Sequence, residues 1–167
     1  EKVLRLKTIL DWMNAHEFLK THLILKGGTA INLTVFDLPR LSVDIDMDFV
    51  PNLPREDMLQ TRETISGIIK AYMDSEGYAF SPASRIHHSL DAFHFTYTNA
   101  AGNQDMIKIE LNYSLRAHLF EPMTRTFATD AFGTGSTVIT VHPMEIFAAK
   151  ANALLSRAAA RDLYDFN

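Results

Sequence analysis

Apolar residues recur along this chain at two periods, and the periods divide it into elements. Val3, Leu6, Ile9, Leu10, Met13 and Phe18 fall at helical spacing, so residues 2–20 read as an amphipathic helix. Leu23-Ile24-Leu25 is a short apolar strand running into Gly27-Gly28, and Thr29 to about Phe36 reads as a short helix broken near Pro39. Residues 42–50 alternate strictly: Asp44, Asp46 and Asp48 take one face of a strand, and Val43, Ile45, Met47 and Phe49 the other. Pro54 is placed to open a helix reaching about Ser75, with Met58, Leu59, Ile65, Ile68, Ile69 and Tyr72 inward and Gly77 at its end. Phe93, Phe95 and Tyr97 alternate with polar residues, as do residues 105–113, and Asn99 to Asn103 supplies a turn between them, giving an antiparallel hairpin. Gly133-Thr134-Gly135-Ser136 reads as a loop before a short strand, Thr137 to Val141. Pro143 then starts an alanine-rich helix that runs toward the end, with a break around Arg157–Arg161.

The pattern predicts an α+β fold: a mixed, mainly antiparallel sheet of four or five strands flanked by helices. It divides into a core over residues 1–142 and the start of a helical part over 143–167. The chain begins at Glu1 without a Met and stops directly after Asp165-Phe166-Asn167, so it reads as a piece of a longer protein.

Chemistry concentrates at two places in this pattern. Glycines at a strand-to-helix turn let backbone amides approach a phosphate, and Thr29 adds a hydroxyl. Alone, a Gly-Gly turn is more often simply a tight turn. The acidic strand is more specific, because Asp is disfavoured in strands and like charges on one face repel unless a cation neutralises them. All-oxygen ligands suit magnesium, which also takes substrate phosphates into its shell. Asp44 and Asp46 are the better pair, with Asp48 near the strand's end and facing solvent. Glu110 is a third candidate if its strand neighbours 42–50; the plain alternative is a surface Glu paired with Lys108. Lys150, Arg157 and Arg161 fall on one helix face, which by spacing alone reads as a solvated surface with Arg161 paired to Asp165. The histidines, His87, His88, His94, His118 and His142 among them, lack metal spacing and read as surface or packing residues.

Composition narrows the setting. With 47% hydrophobic and 22% charged residues the chain is long and apolar enough for a packed core. No apolar run is long enough to span a bilayer. The lack of cysteine removes disulfides and thiolate metal sites and fits a reducing compartment such as the cytoplasm. A net charge of −4 gives no global basic field for nucleic acid, so any such contact rests on a local patch.

Lys26-Gly27-Gly28-Thr29-Ala30 with Leu33, then Leu38-Pro39-Arg40-Leu41-Ser42-Val43-Asp44-Ile45-Asp46-Met47, resembles the AbiEii nucleotidyltransferase toxin family. Lys108-Ile109-Glu110 and Lys150…Arg157…Arg161-Asp162-Leu163-Tyr164-Asp165 extend the resemblance over nearly the whole chain, in the family's order. That family includes the MenT-type toxins of bacterial toxin–antitoxin systems and shares the DNA polymerase beta-like nucleotidyltransferase fold. The resemblance implies a magnesium-dependent transfer of a nucleoside monophosphate from a nucleoside triphosphate to a tRNA 3′ end, in the cytoplasm, opposed by a cognate antitoxin. It implies that Gly27, Gly28, Thr29, Arg40 and Ser42 help hold the nucleotide and that Asp44, Asp46 and Glu110 bind magnesium. It also implies that Lys150 lies near the phosphates and that Asp162 and Asp165 form the closing Asp-x-x-Asp pair. The same chemistry on a protein acceptor, or a non-catalytic relative that binds a nucleotide or partner, are the alternative readings.

Overall fold

A computed structural model describes residues 1–35, 43–114, 117–127 and 136–157, with side chains through residue 156. The predicted first helix is two: α1 (Lys2–Ala15) and α2 (Glu17–His22), separated by an extended His16 at φ −80°, ψ 109°. Leu6, Ile9, Leu10 and Met13 are buried along α1. An unbroken helix would carry Glu17, four residues after Met13, into the same core. The break re-phases the chain, so that Leu19 is buried and Glu17 stays exposed.

β1 (Leu23–Lys26) leads straight into α3 (Gly27–Thr34), which begins two residues earlier than the pattern predicts, at the first glycine. β2 (Asp44–Phe49) is followed by α4 (Arg55–Ser75). Glu56 and Asp57 sit in the first turn of α4, where they favour the helix dipole. Its end is a Schellman turn: Gly77 takes φ 80°, its N–H donates to Asp74 O, and the Tyr78 N–H donates to Met73 O. The buried side of α4 carries Arg62, Ile65, Ile69 and Met73, while Leu59 is 42% exposed, against expectation. Met58, one residue earlier, turns toward the core in its place.

β3 (Ala79–Phe80), β4 (Arg85–Ile86), β5 (Leu90–Thr98), β6 (Gln104–Asn112), β7 (Met123–Thr126) and β8 (Thr137–Thr140) complete an eight-stranded sheet, and α5 (Pro143–Arg157) follows. The order is β3-β5-β6-β2-β1-β8-β7, with β4 also paired to β5. β2 runs parallel to β6 and β1 parallel to β8; the remaining pairs are antiparallel. The three strands beyond the expected five are two to four residues long, too short to show a period.

One face of the sheet is the main core. Ile45, Met47 and Phe49, Phe93, Phe95 and Tyr97, and Ile107, Ile109 and Leu111 are all at most 5% exposed. Trp12 of α1 stacks on Tyr72 of α4 with ring centroids 3.6 Å apart. Arg62 reaches down from α4, bonds both oxygens of buried Asp91 (Nε 3.1 Å) and donates to the His87 and His88 carbonyls, tying the β4–β5 turn to the helix. The opposite, polar face carries the acidic residues. There α3 lies against β1 and β2, α5 contacts α3, and Ile146 of α5 joins the core.

Candidate active site

The centre of the polar face is set by register. Parallel pairing places Asp44 beside Lys108, Asp46 beside Glu110 and Asp48 beside Asn112, while Lys26 of β1 lies opposite Asp46. Paired residues on neighbouring strands share a face. Glu110 therefore belongs to the same surface as Asp44 and Asp46, in the arrangement that the chemical reading required. Its pairing with Lys108 is also present, at 2.7 Å. The two readings of Glu110 coexist, because Lys108 is part of the same group.

The carboxylates perturb one another. Burial, then the charge and hydrogen bond of Glu110 and the charge of Asp44, push Asp46 up to about 6 from 3.8. Two carboxyl groups in that contact must share a proton or a cation. Burial opposes charge on Lys108, but the hydrogen bond and charge of Glu110, with Asp44 and Asp46, hold its pKa above the ordinary value. The donor set is all oxygen and fits magnesium. Among the described residues no three His, Cys, Asp or Glu side chains enclose a metal ion by themselves. Magnesium needs only one or two carboxylates, since waters and substrate phosphates complete its shell.

The glycine turn abuts this cluster. Gly27 takes φ 73°, and a Cβ there would overlap Asp46 Oδ2 and come within 3.2 Å of its Cγ. Backbone approach this close requires glycine. Gly28 and Thr29 continue the first turn of α3, where backbone N–H groups point toward the helix's N-terminal end. Thr29 is fully buried, and its hydroxyl donates to Asp44 O at 2.5 Å, tying the helix to the acidic strand.

Asp48 does not face solvent as expected. It is 1% exposed, forms an ion pair with Lys26 Nζ and accepts a hydrogen bond from Asn112 Nδ2 at 2.8 Å. A carboxylate buried to this degree needs such partners. His118 completes the group. Its Nε2 lies 4.0 Å from Asp48 Oδ2, and its Nδ1 is 3.0 Å from Glu145 Oε2 in the first turn of α5. Glu145 Oε1 also accepts from the Leu119 N–H. Sequence reasoning missed Lys26, Asp48, Asn112, His118 and Glu145 as one unit. The signal for Asp48 was present, since it shares the face of Asp44 and Asp46. Nothing local marked His118, whose partners are distant in sequence.

Lys150 is half-buried on α5, the helix that contacts α3. Arg40, Ser42, Arg161, Asp162 and Asp165 lie outside the described residues, as do Gly133, Thr134 and Gly135 and the expected helix break beyond Arg157.

Residues 9–167 match the family described as nucleotidyl transferase AbiEii toxin, type IV toxin–antitoxin system. No curated protein matches the chain. Among solved structures, it is similar to JHP933 from Helicobacter pylori, with 20% identity and TM-score 0.62, over 97% of this chain and 61% of that one. It is also similar to MenT4, a nucleotidyltransferase toxin from Mycobacterium tuberculosis, with 23% identity and TM-score 0.57, over 87% of this chain and 49% of that one. The chain thus spans about half to three-fifths of the length of these two proteins, and at such identities the likeness is one of fold. The family match covers nearly the whole chain, and the chain belongs to the AbiEii nucleotidyl transferase toxin family.

Proposed function

We propose, on the premise of that family, that the chain transfers a nucleoside monophosphate from a nucleoside triphosphate to an acceptor hydroxyl, as the toxin of a toxin–antitoxin pair. The observation that carries this reading is the parallel β2–β6 register, which sets Glu110 beside Asp46 on the face that the Gly27 turn abuts. Carboxylates crowded against an amide-rich helix start suit a metal-bridged triphosphate.

In the reaction, the acceptor oxygen forms a bond to the α-phosphorus, the bond from that phosphorus to the bridging oxygen breaks, and pyrophosphate leaves. The hydroxyl proton is released. One or two carboxylates from among Asp44, Asp46 and Glu110 would, with substrate phosphates, hold magnesium, which when bound neutralises phosphate charge and lowers the pKa of the attacking hydroxyl. The Gly27 and Gly28 amides cradle phosphate oxygens with Thr29 bracing the turn, and Lys108 and Lys150 supply positive charge for the transition state. Asp48 holds Lys26 at the edge of this cluster. By the family resemblance, Arg40 and Ser42 would add nucleotide contacts, and Asp162 and Asp165 would supply the Asp-x-x-Asp pair.

The acceptor we favour is a tRNA 3′ end, whose modification blocks aminoacylation; the cognate antitoxin would oppose it, in the cytoplasm where tRNA and triphosphates meet. No helix among the described residues is long and apolar enough to cross a membrane. The test is incubation of the intact protein with radiolabelled triphosphates and either total tRNA or cell lysate. Label in tRNA supports the reading. Strong protein labelling with unlabelled tRNA overturns the acceptor and leaves the same chemistry on protein.

A further inference from the structure

Asp44, Asp46 and Glu110 occupy one half of the polar face, with the α3 turn over them. Beyond them the face opens: Met106 is 37% exposed, and the Lys108 side chain is half-buried. Register extends the site across this open half. Glu110 pairs with Ala92 and Lys108 with His94 on β5, and Ala92 pairs with Arg85 on the edge strand β4. Two rows of side chains result: Arg85, Ala92, Glu110, Asp46 and Lys26 in one, and His94, Lys108 and Asp44 in the other. Ala92 is the small member, so Arg85 and Glu110 are separated by a methyl group.

The charge of this edge departs from that of the chain. The net charge is −4, yet between Gly77 and Gln104 the sole acid is Asp91, which points to the other face and is consumed by Arg62. The same segment contributes Arg85, His87, His88 and His94. Arg85, His87 and His88 are exposed. Arg85 makes no ion pair among the described residues. His94 Nδ1 is buried and has no hydrogen-bond partner there. An edge strand that carries basic groups and excludes acids presents a surface matched to a polyanion.

We propose that the β4–β5 edge of the sheet is the seat of a nucleic-acid acceptor, with Arg85 contacting its phosphate backbone and His94 flanking the strand's path toward Glu110 and Asp46. Neighbouring strands lie about 4.8 Å apart, so Arg85 stands roughly 10 Å from Glu110. That is the rise of about three stacked nucleotides at 3.4 Å each, so the strand that Arg85 grips delivers its terminal hydroxyl to the carboxylates. The Arg62 bonds to the His87 and His88 carbonyls hold the β4–β5 turn in place for this contact.

This inference rests on the nucleotidyl-transfer reading and adds to it where the acceptor sits. The experiment measures transfer from labelled triphosphate to total tRNA by the intact protein, with KM for each substrate, across a salt series. Each phosphate left without its basic partner lowers the slope of log affinity against log salt by about 0.7–0.9, which near 0.15 M corresponds to roughly fivefold. Arg85→Ala is expected to raise KM for tRNA about fivefold and flatten its salt dependence by that amount, with KM for the triphosphate unchanged. Arg85→Glu does so more strongly, and Arg85→Lys retains most of the affinity. Arg85 is exposed, so these variants are expected to fold, as circular dichroism would verify. Wild-type labelling of tRNA with the same tRNA KM and salt slope in Arg85→Ala and Arg85→Glu overturns the inference alone. Wild-type labelling of protein but not tRNA overturns the nucleic-acid acceptor itself, and the inference with it.

Discussion

Gly27→Ala is expected to damage the protein in two separable ways. At φ 73° an L side chain costs about 1–2 kcal/mol in backbone strain. The new methyl would also overlap Asp46 Oδ2 and approach its Cγ to 3.2 Å, and overpacking of this kind costs about 1–3 kcal/mol more. Gly77→Ala is the internal control, since Gly77 also has positive φ (80°) but nothing stands within 4 Å of its Cβ position. Urea denaturation should therefore show a loss of about 1–2 kcal/mol for Gly77→Ala and about 2–5 kcal/mol for Gly27→Ala. In an Asp46→Ala background the overlap with Oδ2 and Cγ disappears and only the 3.2 Å approach to the Cβ remains, so Gly27→Ala should cost little beyond the backbone term. Nucleotidyl transfer should fall sharply in Gly27→Ala and survive in Gly77→Ala. Equal losses for the two glycine variants, with no coupling to Asp46, would refute the close approach of turn and carboxylate.

Asp46 also sets a pH dependence. Its folded pKa, about 6 in the metal-free protein, is above the ordinary 3.8, so its stabilising contribution is fully present below about pH 4 and is lost as pH rises through 6. Asp46→Asn is expected to stabilise the metal-free protein at pH 7 by about 1–3 kcal/mol, with the gain fading as pH falls from about 6 to about 4. Denaturation in chelator across pH checks this, and a destabilised Asp46→Asn at pH 7 would contradict it. Glu145→Ala removes the acceptor of the Leu119 N–H and the partner of His118. A hydrogen bond to a charged group is worth about 1.5–3 kcal/mol, so exchange of the Leu119 amide with deuterium should accelerate by about 10- to 100-fold. Unchanged protection would show that Glu145 does not hold the loop to α5.

Much of this was legible in the chain because local pattern and final structure agree. The Asp44–Phe49 alternation, the hairpin of Phe93, Phe95 and Tyr97, and the proline-to-glycine span of α4 each carry their period and their ends in sequence. The break at His16 was not legible, since it depends on what Leu19 and Glu17 meet in three dimensions. β3, β4 and β7 are strands only because neighbours offer them bonds. At the site, Asp44 and Asp46 were readable from strand periodicity. The position of Glu110 depended on a parallel register that no local spacing encodes. Asp48 was misjudged because proximity to a strand end was read as exposure, whereas Lys26, Asn112 and His118 converge on it from three other parts of the fold.

The central claim is that the Asp44, Asp46 and Glu110 face transfers nucleotide. Transfer of label from radioactive triphosphate to acceptor, compared between the wild-type protein and folded Asp46→Ala, tests it most directly. The account predicts a drop of about three orders of magnitude or more. A folded Asp46→Ala protein that retained full transfer would contradict it.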